Sequence, residues 1–317
     1  MDIVAVDIGG TNARFARATL APGKPPALHQ VHHYAVAAHP GLASAWRQFR
    51  ADAGAIPTRA AIAVAAPMGG DVIRFINSPW TIQPARLTAD LGLEQLTLLN
   101  DFGAVAHAVP WLEHDHLAPL AGPGGPIPQE GVTSVIGPGT GLGVAMLLRR
   151  DGQMHVIETE GAHRAFAPLD MAEDALLHQL RRQFSRVSDE RIVSGPGLAN
   201  IHRALAGRTE TPDDKRLWAA AMDGSDPLAA AALDHFVRCF GAVAGDLALA
   251  HGANAVVIAG GLANRIADRL RGPAFVERFI AKGRYEARMR GIPVRLVTYE
   301  QPGLLGAAAA FQAEHGP

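Results

Sequence analysis

The feature that most constrains this chain is a pattern that occurs twice: an apolar strand, a glycine turn ending in threonine, and a second apolar run. Its first copy lies in residues 3–18, where Ile8-Gly-Gly-Thr11 separates two apolar segments. The second lies in residues 134–148, around Gly137-Pro-Gly-Thr140, at an offset of 129 residues (140 − 11). Apolar runs this close together predict a β-hairpin in each copy, not a strand leading into a helix. Neither familiar phosphate-loop fingerprint fits the second copy. Counting G-x-G-x-x-G or G-x-x-x-x-G-K from Gly137 reaches Leu142, and no lysine follows it. Two hairpins in matching contexts predict duplicated half-domains, each offering one glycine turn.

The rest of the chain supplies the elements such half-domains need. Residues 41–53 have helical periodicity, with Leu42, Trp46 and Phe49 on one face. Residues 60–66 and 96–99 read as short buried strands. A helix is expected over 102–108, a strand over 155–158 and a long helix over 227–250, in which Gly241 and Gly245 are unfavourable. Strands over 255–259 and 293–298 and a helix over 304–314 complete the set. This mixture predicts an α/β protein with glycine turns at its strand ends. The segment 120–128, rich in proline and glycine, is a candidate crossing between domains.

Composition narrows the partners. The chain has 317 residues and a formal net charge of −1, which gives no broad attraction for nucleic acid or anionic membrane. A small-molecule partner is expected. Cys239 is the single cysteine, so an internal disulfide and a cysteine-rich zinc site are both excluded. The N-terminus lacks the basic segment of a signal peptide, no apolar run reaches spanning length, and a cytoplasmic protein is expected.

Four places carry chemistry. Turns without side chains let backbone N–H groups approach phosphate closely, and Thr11 and Thr140 can add hydroxyl donors. Such turns are equally a way to make a tight hairpin, but the repeated threonine favours phosphate. Asp7 precedes the first turn where Ile136 stands in the second, which suits a role needed once, such as holding Mg²⁺ through water. Asn100 and Asp101 directly follow an apolar strand, the position where α/β sheets gather binding and catalytic groups, although both residues also favour helix starts. Glu158-Thr-Glu-Gly-Ala-His163 groups carboxylates with an imidazole; such groups suit sugar hydroxyls, and a solvated turn is the alternative, best fitting Glu158. Glu190 reads as a surface residue on sequence alone.

Taken together, these motifs resemble the bacterial glucokinases of the hexokinase superfamily over nearly the whole chain. The resemblance rests on Val6-Asp-Ile-Gly-Gly-Thr-Asn-Ala-Arg14, Leu98-Leu-Asn-Asp-Phe102, Val135-Ile-Gly-Pro-Gly-Thr-Gly-Leu-Gly143, Glu160-Gly-Ala-His163, Glu190-Arg-Ile-Val-Ser-Gly-Pro-Gly-Leu198, Ile258-Ala-Gly-Gly261 and Pro302-Gly-Leu-Leu-Gly306. It implies a two-domain actin-like ATPase (ribonuclease H-like) fold with an interdomain active-site cleft that closes on sugar. The implied domains are 1–110 with 300–317, and 111–299. The implied activity is ATP-dependent phosphorylation of the 6-hydroxyl of glucose, the entry step of glycolysis. Another hexose, such as mannose or an N-acetylhexosamine, and a non-catalytic sugar sensor are the alternatives.

By the same resemblance Asp101 is the catalytic base, and Asn77, Asn100, Asp101, Glu160, His163 and Glu190 hold the sugar. Asp7, Gly9, Gly10, Thr11 and Asn12 belong to one phosphate loop, and Gly137, Gly139, Thr140 and Gly141 to the other. Gly260 and Gly261 match the adenosine motif. The implied cofactors are ATP and Mg²⁺, and the implied assembly is a homodimer. One departure stands out: the family's E-G-G-H turn carries Ala162 here, which disfavours positive φ and is expected to shift His163 or narrow the sugar site. The neighbouring repressor and sugar-kinase branch usually carries a cysteine-rich zinc motif, which this chain lacks.

Overall fold

The first glycine turn closes a hairpin of β1 (Asp2–Ile8) and β2 (Asn12–Thr19), paired antiparallel from Asp2↔Thr19 to Ile8↔Ala13. The structure, a computed structural model, describes residues 1–316 apart from 76–77, 208–209 and 211–212. Residues 3–6 of β1 are all buried because both faces of the strand are covered. Alternation sends Val4, Val6 and Ile8 into a core with Phe15, Trp46 and Phe49. The intervening Ile3 and Ala5 meet Leu304, Ala307 and Phe311 of the last helix, Pro302–His315.

The chain forms two compact units, the first comprising residues 1–113, 156–158 and 299–317. Its sheet adds β3 (Ala27–Ala35) and β4 (Arg59–Val64); β5 (Ile73–Arg74) and β6 (Thr81–Ile82) pair apart from it, and β7 (Gln95–Asn100) completes it. The strand order is β3-β2-β1-β4-β7, with β4 parallel to both β1 and β7.

The second unit comprises residues 114–155 and 159–298. Its strands are β8 (Leu117–Ala121), β9 (Gly131–Pro138), β10 (Leu142–Arg150), β11 (Gln153–Thr159), β12 (Ala255–Ile258) and β13 (Val294–Val297). They run in the order β11-β10-β9-β12-β13-β8. The hairpin β9–β10 is antiparallel, β12 is parallel to β9, and β13 is parallel to β12. These are the senses found for β1, β2, β4 and β7, so the two glycine hairpins begin two copies of one sheet path. Among the described strands of this second sheet, β8, antiparallel to β13, has no counterpart in the first.

Two local features depart from the sequence reading. The segment 120–128 is not where the chain first passes between units: that passage is at Glu113/His114, and Leu120 and Ala121 belong to β8. The proline–glycine stretch is tied down by Arg295, 2% exposed, which donates to the carbonyls of Pro123 at 2.6 Å and Gly125 at 2.8 Å. In the long helix Pro227–Ala250, Gly241 and Gly245 are required and not merely tolerated. A Cβ there would stand 2.3 Å from the Phe275 carbonyl oxygen and 2.4 Å from that of Phe279, because the helix Pro273–Ile280 crosses at backbone contact. Pro227–Ala250 is also long and apolar enough to cross a membrane, yet 67% of its apolar window is buried inside the fold, as in a core helix.

Candidate active site

In the first unit the turn of the β1–β2 hairpin is closed by Gly9 N–H donating to the Asn12 carbonyl at 2.9 Å. Thr11 and Asn12 are exposed, and Asn12 Nδ2 donates to Thr11 Oγ1 at 3.3 Å. Asp7 faces Arg14 across the ladder, and the guanidinium meets its Oδ2 at 2.9 Å. Burial nevertheless holds the Asp7 carboxyl above its ordinary range, with Arg14 offsetting only part of the shift. The start of the last helix also leans on this carboxylate: a Cβ on Gly303 would lie 2.6 Å from Asp7 Oδ2.

β7 delivers the Asn-Asp pair to the start of the helix Asp101–Ala108. Asn100 is its N-cap, with Oδ1 accepting from the N–H groups of Phe102 at 2.8 Å and Gly103 at 3.2 Å. The helix-capping reading of Asn100 is therefore correct as far as it goes, and it fixes the residue that follows. Asp101 Oδ1 accepts from Phe102 N–H at 2.9 Å. Its pKa is pushed up to about 7, first by burial, then by the negative charge of Asp7 and, less, of Glu158, against the lowering effect of backbone N–H groups.

Glu158 is the residue that sequence reasoning missed, having fitted a solvated turn. Its Oε1 accepts from the Asn100 N–H at 2.7 Å. Gly103 makes room for it, since a Cβ there would sit 2.4 Å from the same oxygen. The glycine two positions after Asp101 was the available signal.

In the second unit Gly139 N–H donates to the Gly141 carbonyl at 2.7 Å, closing the turn of β9–β10 with Gly139 and Thr140 exposed. Gly137 lies in the ladder, opposite Gly143. Gly260 and Gly261 begin the short helix Gly261–Arg265 directly after β12; Gly260 has φ 105° and its Cα faces the Pro138 carbonyl. The second hairpin and the glycine pair are thus neighbours. Glu190 joins them: its Oε2 accepts from the Leu142 N–H at 3.0 Å.

Glu160 and His163 bracket a 3-10 turn, both about half exposed, with His163 Nε2 at 3.6 Å from Glu160 Oε2. This turn is stitched to the segment bearing Glu190. Ala165 bridges Ser188, Asp189 N–H donates to the Arg164 carbonyl at 3.1 Å, and the Arg164 guanidinium pairs with the buried Asp189 carboxylate. Ala162 does not stand at the positive φ that its side chain would disfavour, and its methyl is buried in the second unit's core at 3% exposure. The crowded position is Gly161, where a Cβ would meet Leu247, Thr159 and Val144 at 3.2–3.3 Å. Asn77 lies outside the described residues.

Among the described residues no three His, Cys, Asp or Glu side chains converge as a closed metal cage. Asp7 and Asp101 are instead two part-buried carboxylates close enough for the charge of one to raise the pKa of the other. That donor set fits a magnesium ion, which keeps several waters and needs only one or two carboxylates beside substrate phosphates.

Comparisons with known proteins point one way. A family model described as glucokinase matches residues 4–314. The glucokinase of Zymomonas mobilis subsp. mobilis is 51% identical over 316 residues, covering 98% of each chain. The crystal structure of a glucokinase from an Antarctic psychrotroph superposes with a TM-score of 0.86 at 33% identity, covering 99% of both chains. A glucokinase of the ROK family from Streptomyces griseus, solved in complex with glucose and AMPPNP, shares the fold at a TM-score of 0.61 and 19% identity, over 98% of this chain and 99% of that one.

Proposed function

The chain belongs to the glucokinase family, and from that premise we propose that it transfers the γ-phosphoryl group of ATP to the 6-hydroxyl of D-glucose, giving glucose 6-phosphate and ADP. The observation that carries the mechanism is Asp101. Held at a strand end and poised near pH 7, its carboxylate suits a general base. It takes the proton of the 6-hydroxyl while that oxygen forms its bond to the γ-phosphorus, and the bond to the bridging oxygen breaks with its electrons leaving on ADP.

Glu160, His163 and Glu190 orient the sugar through its hydroxyls, and Asn100 adds the Nδ2 hydrogen not spent on the Ala66 carbonyl. The exposed turns at Gly9–Asn12 and Gly139–Gly141 offer backbone N–H groups and threonine hydroxyls to the phosphates, and Gly260 with Gly261 admits the adenosine. Asp7 would hold Mg²⁺ through water, and the ion would supply positive charge against the phosphate oxygens. The same family membership supports a cytoplasmic homodimer.

The test is a matrix of sugars and phosphoryl donors assayed on the purified protein, with Asp101→Asn beside the wild type. Glucose with ATP should be the preferred pair. Asp101→Asn should lower kcat by roughly 10²–10⁴-fold while glucose binding, measured by calorimetry, persists. Wild-type turnover in the variant would overturn the base assignment, and a preference for another hexose would overturn the substrate.

A further inference from the structure

The second hairpin carries two glycines that look interchangeable in the sequence and differ in the fold. A Cβ built on Gly139 meets nothing within 4 Å, whereas one on Gly141 would lie 2.4 Å from Glu190 Oε2 and 3.3 Å from its carboxyl carbon. Neither residue has a positive φ, so the contrast is one of space and not of backbone strain. The carboxylate stands there because the next N–H along the chain, that of Leu142, donates to the same oxygen.

The backbone around Glu190 has little freedom to give way. Asp189, 1% exposed, is paired with Arg164, and the Arg191 carbonyl accepts from Asn200 Nδ2 at 2.8 Å. Further along, Gly195 N–H donates to the Gly139 carbonyl at 2.7 Å, tying the following helix to the hairpin tip. With both neighbours anchored, the part of Glu190 that can move is the flexible end that bears its charge.

We propose that the β9–β10 hairpin positions the sugar-binding carboxylate: the Leu142 N–H and the bare Cα of Gly141 hold Glu190 in place, making Gly141 a positioning residue for the hexose and not only part of a phosphate turn. This rests on the hexose-kinase reading above, in which Glu190 meets a sugar hydroxyl. A methyl group at position 141 pushes that carboxylate aside without straining the backbone, so the fold survives and the sugar contact does not. A methyl at 139 points into open space and leaves Glu190 where it is.

Glucose affinity by calorimetry without nucleotide is compared in wild type, Gly141→Ala, Gly139→Ala, Glu190→Ala and the Glu190→Ala/Gly141→Ala double variant. In the absence of nucleotide, where the phosphate turn has no ligand, Gly141→Ala should weaken glucose binding roughly tenfold, the loss of one well-placed charged hydrogen bond. Gly139→Ala should keep glucose affinity within about twofold of wild type. The double variant should bind glucose no more weakly than Glu190→Ala, because the methyl then occupies vacated space. Unchanged glucose affinity in Gly141→Ala, or additive losses in the double variant, overturns the positioning role. Hydrogen exchange reads the contact independently of any change at Gly141: the Leu142 amide should exchange faster in Glu190→Ala, and an unchanged rate also overturns it. A wild-type protein that binds no hexose removes the sugar-kinase reading itself, whereas wild-type binding with an indifferent Gly141→Ala removes only the role of the hairpin.

Discussion

At the scale of single residues, the chemistry of the first unit turns on how three carboxylates share one neighbourhood. Asp101 is raised by burial and by the charges of Asp7 and Glu158, so below neutrality it is increasingly protonated and unable to accept a proton. In the free enzyme kcat/KM for glucose should therefore fall as pH drops through about 7, with a slope of one. Glu158→Gln removes one of the two raising charges while keeping an oxygen that can accept from Asn100. The acid limb of the pH profile should move to lower pH in that variant; a limb that stays put would show that Glu158 does not act on Asp101. Asp7 and Asp101 were legible in the sequence because each ends a recognisable apolar strand. Glu158 was not, because its partner is a backbone N–H 58 positions away. The mark lay on the donor's side, in Gly103, whose missing Cβ makes room for the Glu158 carboxylate. Ala162 taught the opposite lesson: the conformation demanded at one position of a turn cannot be inferred from the family's residue there, and here the tight position is Gly161.

At the scale of elements, glycine marks where backbones touch. The last helix crosses the helix Asp101–Ala108 so closely that a Cβ on Gly306 would overlap the Ala104 carbonyl and would also lie 3.1 Å from the Ala108 nitrogen. Unlike Glu190, these are main-chain atoms and cannot swing away. Gly306→Ala should cost on the order of 3 kcal/mol or more, measured by denaturant unfolding, because both helices must separate. The same displacement would carry Asp101 with its helix, so residual activity should fall further than stability alone explains. A stable and fully active Gly306→Ala would contradict the crossing. The strands and helices read from periodicity are present, down to the long helix Pro227–Ala250, but β3 and β8 were not among them. Helix-to-helix distance was not readable, because Gly241 and Gly245 look like weak points until the carbonyls of Phe275 and Phe279 are seen against them. Propensity counts the cost of a glycine inside a helix; only packing reveals its purpose.

For the whole molecule, the informative fact is which parts of the chain build which unit. The repeated hairpin announced the duplication, and the two sheet paths β3-β2-β1-β4-β7 and β11-β10-β9-β12-β13 carry it through. The return of the last helix to the first unit, where Leu304, Ala307, Ala308 and Phe311 cover one face of its sheet, was implied by the family resemblance and by no local pattern. A chain truncated before Pro302 should lose the fold of the first unit while the second keeps its own core. Trp218, 4% exposed in the second unit, should retain a buried emission spectrum as the first unit's Trp46 and Trp80 become exposed. Single-tryptophan variants would resolve the two, and red-shifted emission from Trp218 would refute the separation. During synthesis this ordering has a cost in time. The strands of the first sheet leave the ribosome early, but the helix that covers Ile3, Ala5 and Ala61 is translated about 200 residues later, a wait of roughly ten to forty seconds at elongation rates of about 5–20 residues per second. Through that interval the nascent first unit presents an uncovered apolar sheet face, so chaperone demand should be set by the slow arrival of the final helix, not by the larger unit made in between.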